Sequence, residues 1–302
     1  MRKYVRLNAM ITTSGLIETL LWGIANGCIY ILLATGLNII FGVMKLVNFA
    51  HGQLLMVGAF VAYGVTTAAG LNPYLSILVA MASVALIGVA LEMFTFRKIR
   101  GTDKLNEIFI SLGLILLFEN IATLLWVPNR YNIRIPSPLE GLSLSLGEVA
   151  MGYDRILAII TVIVILIGLV LLTKKTKIGL AMNATSQKSD TAMLMGINIK
   201  KVYIFTFALG AALAGAAGAL YGILFPFNPV IGALPTIKAF AIIIIGGLGS
   251  IPGAVIGGLL YGIAENSAVY LLGGIWQDAI AFALLIIVLV IRPTGLFGGK
   301  GE

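Results

Sequence analysis

Charge is scarce in this chain: only 11% of its 302 residues are Asp, Glu, Lys or Arg. Soluble domains carry about 25%, so there is too little charge to cover a water-facing surface. Cysteine occurs once, at Cys28, and histidine once, at His51. One cysteine excludes an intrachain disulfide and a Cys-based metal centre, and one histidine excludes a His-rich metal site. No Gly-x-x-x-x-Gly-Lys-Ser/Thr loop is present, so ATP is not held through that motif. His-Glu-x-x-His and Gly-x-Ser-x-Gly are missing too, which removes the common zinc-protease and serine-hydrolase chemistries. No span carries regularly spaced arginines and no TVGYG filter occurs, which argues against a voltage sensor and a potassium channel. Enzymatic function is left only as an unusual intramembrane chemistry. Transport leads.

What the chain has is apolar length. Sixty per cent of it is hydrophobic, 36 residues are glycine, and mean hydropathy is +1.06. Glycine at nearly twice its usual ~7% share suggests closely packed membrane helices. Long apolar runs cover 73–96, 107–127, 155–173 and 202–225, with less regular ones at 16–34, 36–47, 53–70, 237–249, 253–272 and 279–291. A helix rises 1.5 Å per residue and the hydrocarbon core is ~30 Å thick, so 36–47 and 237–249 are too short to cross alone. The expectation is an all-α polytopic membrane protein, 1–302 forming a single domain with eight to ten crossings.

The net charge of +8 would suggest nucleic acid in a soluble protein; here it marks cytoplasmic loops and no nucleic-acid partner is expected. Segment 97–106 holds Arg97, Lys98, Arg100 and Lys104 against Asp103, and 174–201 holds six lysines against Asp190. Between them, 128–154 is rich in Pro, Ser and Gly and carries Arg130 and Arg134 against Glu140, Glu148 and Asp154. The positive-inside rule places 97–106 and 174–201 in the cytoplasm and 128–154 outside. Arg292 and Lys300 place the C-terminus inside, and Arg2, Lys3 and Arg6 favour an inside N-terminus. Although Ala25-Asn26-Gly27-Cys28 looks like a lipoprotein cleavage site, the apolar run continues to Ala34. Cys28 reads as a small helical residue rather than a cleavage point.

Five constellations interrupt this pattern. From Gly36 to Gln53, three glycines and Asn38, Lys45, Asn48, His51 and Gln53 break an apolar run; such a segment must be buried in protein or line an aqueous cavity. For His51 alone, a structural role outweighs a substrate contact, since no acidic partner accompanies it. From Ala241 to Gly258, a β-branched run ends in Gly246-Gly247-Leu248-Gly249-Ser250-Ile251-Pro252-Gly253, which predicts a discontinuous segment. Glycine-broken segments, one in each half, are the pattern of internally repeated transporters at their translocation path. Gly210, Ala214, Gly218 and Gly222 form a small-residue face for close helix packing or sliding. Glu18, Glu92, Glu119, Lys238, Glu265 and Asp278 lie inside apolar spans, and intramembrane charges are functional candidates. Glu119-Asn120 and Glu265-Asn266 are the preferred pairs; Glu92 reads as a partner of Arg97, and Lys238 and Asp278 as span-end residues that snorkel to water. Finally, 179–198 predicts a short cytoplasmic helix, capped by Ser186 or Ser189 and closed by Gly196, with Asp190 at its positive end. It exposes Ala192, Met193, Leu194 and Met195, an apolar face that implies a partner.

Taken together, these segments resemble the permeases of branched-chain amino acid ABC importers, specifically the H-type (LivH-like) subunit. The resemblance is carried by Gly36-Leu37-Asn38 through Asn48-Phe49-Ala50-His51-Gly52, by Met195-Gly196-Ile197-Asn198, by Gly246 through Ala254, and by Arg292-Pro293-Thr294-Gly295-Leu296. It implies a second homologous permease, two ATP-binding cassette subunits that hold ATP and Mg, an extracytoplasmic binding protein, and no cofactor in this chain. It also implies that 174–201 contains the ATPase-coupling helix, with Gly179, Asp190, Ala192, Met193, Met195 and Gly196 its residues. Asp190 and Thr191 stand where the general pattern has Glu and Ala, the Ile-x-Leu-Pro continuation is missing, and Asn183 stands where the family tends to carry arginine. The expected path residues are Asn38, Asn48, His51, Gln53, Glu119, Asn120, Gly246, Gly247, Gly249 and Glu265. Related permeases carry urea or short amides, and an ATP-independent channel is the reading from a different class.

Overall fold

The computed structural model describes residues 12–126 and 132–298. Arg2, Lys3, Arg6, Arg130 and Lys300 lie outside the described residues. Eleven α-helices dominate: α1 (Thr13–Met44), α2 (His51–Ala69), α3 (Pro73–Leu91), α4 (Lys104–Trp126), α5 (Tyr153–Lys175), α6 (Lys177–Gln187), α7 (Ser189–Leu194), α8 (Ile199–Leu224), α9 (Ala233–Gly246), α10 (Ile251–Leu272) and α11 (Gln277–Ile291). After α3 a π-helical turn (Glu92–Phe96) and one further turn (Arg97–Ile99) continue the same rod. A hairpin of β1 (Ser143–Leu146) and β2 (Val149–Gly152) was not foreseen. Among the described residues, eight helices are long and apolar enough to cross a membrane, and α9 is a shorter apolar one. The all-α polytopic expectation holds.

Local chemistry sets the helix ends. Thr12, Asn72, Thr176, Asn198 and Ser250 each turn a side-chain oxygen onto a first-turn backbone N–H, satisfying donors that lack an intrahelical acceptor. Pro73 and Pro252 sit in the first turns of α3 and α10, where a missing N–H costs nothing. Pro252-Gly253 therefore opens a helix rather than breaking one.

Two expected breaks move. The runs 16–34 and 36–47 form one helix, α1, about 48 Å long at 1.5 Å per residue; Gly36 and Gly42 are helical within it. α1 stops only at Lys45, whose φ of 54° is left-handed, and the chain runs irregularly to Ala50 before α2. In the second half the break is confined to 247–250, where Gly247 (φ 101°) and Gly249 (φ 84°) take backbone angles that side chains resist.

Hydrogen bonds across the bundle establish which ends share a face. Glu18 near the start of α1 accepts the Ala150 N–H of the hairpin at 2.8 Å. At the other end, Val47 N–H donates to Glu107 and Lys104 Nζ to the Lys45 carbonyl, both at 3.2 Å. α1 thus begins on the hairpin face and ends on the face of the basic segments. This overturns the expectation that the chain enters its first span on the same side as 97–106 and 174–201. From there the eight membrane-length helices and the shorter α9, preceded by an irregular stretch from Phe225, run alternately between the two faces. Leu296 and Phe297 N–H bond the Ile245 and Gly246 carbonyls at 2.8 and 3.0 Å, so the end of the described chain lies on the basic face.

α8 is the hub, packed on α3, α2 and α1, and α1 packs antiparallel on α10. Small residues make this density attainable. A Cβ on Gly36 would meet the Gly210 carbonyl oxygen at 2.6 Å, and one on Gly215 would meet the Ala80 carbonyl oxygen at 2.9 Å. One on Gly218 would meet the Leu55 carbonyl oxygen, so glycines of α8 pack against the backbones of α1, α3 and α2, while Gly222 packs against the Ile135 and Phe227 side chains. α4, α5 and α11 leave Leu116, Leu124, Val164, Val290 and similar side chains exposed.

Candidate functional site

Between α1, α8, the descending 225–232 segment, α9 and α11 lies a cavity of about 410 Å³. Small-molecule sites typically span ~300–1,000 Å³. Its wall is formed by Asn26 and Tyr30 of α1, Tyr221 of α8, Phe225, Asn228, Val230 and Ile231, then Leu234, Pro235 and Lys238 of α9, and Gln277 and Asp278 of α11. One end of this wall is charged. Lys238 pairs with Glu265 of α10 and, at 3.0 Å, with Asp278. Glu265 Oε1 also accepts from Gln277 Nε2 at 2.5 Å and from the Tyr30 hydroxyl at 3.4 Å. Lys238 Nζ stands 5.4 Å over the Tyr30 ring, which meets Tyr261 edge-on. Asn26 Nδ2 donates to Asn266 Oδ1 at 3.1 Å, and Asn266 donates to the Gly262 carbonyl at 2.9 Å. The lining also includes the apolar Val230, Ile231, Leu234 and Pro235. Such a site offers a cation, a carboxylate, amides and apolar surface to a bound molecule.

Of the expected path residues, only Glu265 joins this cluster, and it lies behind the wall rather than on it. Lys238 and Asp278, read as snorkelling from span ends, are instead drawn together here. Tyr30, Asn26 and Gln277 were missed altogether. The available signal was a lysine in a short apolar helix with carboxylates in the next two spans, together with Asn26 and Tyr30 four residues apart on one helical face.

The other candidates have structural surroundings. Asn38 reaches the break between α9 and α10: its Nδ2 donates to the Ser250 carbonyl at 2.8 Å and its Oδ1 accepts the Gly249 N–H at 2.7 Å. Gly246 packs against Gly253 so closely that no side chain fits, and Gly247 packs against Gly298. Asn48 is buried and its Oδ1 accepts the Ala50 N–H at 3.0 Å. His51 is fully buried, with its Nε2 against Gly36 where α1 crosses α8. Neither of its ring nitrogens makes a hydrogen bond of ordinary geometry. Gln53 Nε2 donates to Glu119 Oε1 at 3.0 Å, tying α2 to α4. Asn120 turns outward and donates to its own Leu116 carbonyl at 2.7 Å. None of the nine expected path residues other than Glu265 lines the cavity. Glu92 does pair with Arg97 as expected, at 2.9 Å, and also with Arg100 at 2.8 Å.

On the basic face, α5 and α6 meet at an elbow where Gly179 lies against the Leu172 and Thr173 backbone. α7 follows. Its N-cap is Lys188 rather than a serine, and no side chain caps it. Gly196 closes it at φ 84°, as expected. Ala192 is buried, contrary to expectation, while Met193, Leu194 and Met195 are 59%, 84% and 80% exposed.

A bundle of membrane-length helices, with a polar cavity and buried charges among them and backbone breaks at two points, is the architecture of a solute permease. The chain belongs to the family described as the permease component of the branched-chain amino acid transport system, which matches residues 19–289. It is 34% identical over 295 residues to the high-affinity branched-chain amino acid transport system permease protein BraD of Pseudomonas aeruginosa, covering 93% of this chain and 95% of that one. Identity is 32% over 290 residues to LivH of Escherichia coli K12, a protein of the same description, covering 91% and 93%. A probable LivH of Methanocaldococcus jannaschii is 33% identical over 283 residues, covering 89% and 88%. No solved structure matches significantly. The chain is therefore a multi-pass membrane permease subunit and not an enzyme.

Proposed function

We propose that this chain forms the translocation path of an ABC importer for branched-chain or other small apolar amino acids. The cavity between α1, α8, α9 and α11 lies on that path. The observation that carries this reading is the cavity's mixed lining: Lys238, Asp278 and the amides of Asn26, Asn228 and Gln277 together with the apolar Val230, Ile231 and Leu234. A branched-chain amino acid likewise joins charged groups to an apolar side chain. In this reading the basic face is cytoplasmic, 128–154 and the start of α1 are extracytoplasmic, and the end of the chain is cytoplasmic, following the positive-inside rule. α7 is the coupling helix, because Met193, Leu194 and Met195 form an uncovered apolar face that an ATPase groove would bury. The working assembly adds a second homologous permease, two ATP-binding cassette subunits carrying ATP and Mg, and an extracytoplasmic binding protein.

The test is reconstitution of the chain with its second permease, ATPases and binding protein in proteoliposomes. Leucine uptake that requires ATP supports the reading. Uptake that persists without the ATPases would make the chain a channel, and uptake of urea without leucine would change the substrate class.

A further inference from the structure

The two carboxylates that hold Lys238 are not equivalent. Glu265 is 2% exposed and fixed by Lys238, Gln277 and Tyr30 together. Asp278 stands in the first turn of α11 with its side chain 44% exposed. Parting Lys238 from Glu265 would leave a buried charge uncompensated. Parting it from Asp278 leaves Lys238 still neutralised by Glu265 and Asp278 able to take water. Lys238 and Asp278 both face the cavity, whereas Glu265 does not. The weaker of the two contacts is thus the one open to a solute.

We propose that the Lys238–Asp278 contact is the one a bound zwitterion replaces, its carboxylate settling on Lys238 and its ammonium on Asp278. This rests on the amino-acid permease reading above and names the groups that recognise the substrate. The aliphatic side chain then lies against Val230, Ile231 and Leu234, which line the same cavity. One formal positive and two formal negative charges leave the site anionic, so the ammonium is the head group it selects most strongly. Charge separation inside the bundle is small both before and after binding, because one ion pair is exchanged for two.

The experiment uses the assembled permease–ATPase complex in lipid nanodiscs and measures binding of labelled leucine. Competitors are leucinol, which keeps only the ammonium, and 4-methyl-2-oxopentanoate, which keeps only the carboxylate. Both should compete at least about tenfold more weakly than leucine. Asp278→Asn should weaken leucine binding by a similar factor and erase its advantage over the oxo acid, and Asp278→Glu should restore both. Lys238→Met combined with Glu265→Gln, a neutral pair of similar volume, should instead erase the advantage over leucinol. If these variants do not assemble, the analogue series on the unmodified complex decides. An oxo acid that competes as well as leucine, or leucine binding unchanged by Asp278→Asn, overturns the proposal alone. An unmodified complex that binds no branched-chain amino acid overturns the permease reading and this one with it.

Discussion

Asn38→Leu is the sharpest probe of how the broken second half is held. Leucine matches asparagine in size but can neither donate to the Ser250 carbonyl nor accept the Gly249 N–H, the two contacts at 2.8 and 2.7 Å. Each buried backbone group left unpaired costs about 1–3 kcal/mol. Gly249 and Ser250, however, border a pocket of about 260 Å³ on the basic face, where water can replace part of what is lost. Side-chain hydrogen bonds between membrane helices average only ~0.6 kcal/mol, so two of them set a lower figure near 1 kcal/mol. The expected loss is therefore about 1–2 kcal/mol, read as a lowered unfolding midpoint in mixed micelles. A local readout accompanies it: the Gly249 amide should exchange with deuterium roughly tenfold faster, the factor that ~1.4 kcal/mol of lost protection gives. Unchanged exchange at Gly249 would refute the argument, even if the variant were globally less stable.

Three further outcomes are expected. Met193→Asp with Met195→Asp should leave membrane insertion intact but uncouple ATP hydrolysis from uptake in the reconstituted assembly, and normal coupled uptake would remove α7 from that role. In a Cys28→Ser background, cysteines at Thr13 and Asn132 should react with a membrane-impermeant thiol reagent from outside, and one at Lys188 only from inside; labelling of Thr13 and Lys188 from the same side would contradict the alternation of α1 to α5 between the two faces. His51→Ala should lower thermal stability by about 1–3 kcal/mol, as expected for emptying a buried site, while uptake per folded complex stays within twofold of wild type. A selective loss of uptake without loss of stability would put His51 on the path after all.

Much of the fold was legible because the bilayer enforces length and polarity. The clear spans 73–96, 107–127, 155–173 and 202–225 correspond to α3, α4, α5 and α8 within a few residues. Where the reading slipped, the cause was packing. Gly36 and Gly42 looked like breaks because glycine is a poor helix former, yet they are helical because Gly210 and Gly249 of other segments press against them. Pro252 looked like a breaker because its position in the first turn depends on where the helix starts. The hairpin 143–152 was invisible in a segment scanned for charge. The candidate site was less legible than the fold. Polar residues were weighed by how far they sat from span ends, and Lys238 and Asp278 are near ends by sequence. What distance along the chain cannot report is that α9 starts partway through the bundle, which moves its second turn inward to meet α10 and α11.

The short α9 and the ion cluster also explain one another. A 14-residue helix rises about 21 Å, less than the hydrocarbon core, so this pass is completed by irregular backbone from Phe225 to Gly232. Irregular backbone at membrane depth is tolerated only when protein or water covers its polar groups. The covering is visible: Phe227 pairs with Ile133 in both directions at 2.8 and 3.0 Å, and Gly232 lies against Gln53 and Gly52. Of the rest of this stretch, Asn228, Val230 and Ile231 border the cavity. Lys238 would be costly on a full-length helix facing lipid. On a half-helix whose first turn opens into that cavity it reaches two carboxylates and solvent at once. The break in regular structure is what makes room for the charges, and on the proposed function these are the groups that meet the solute.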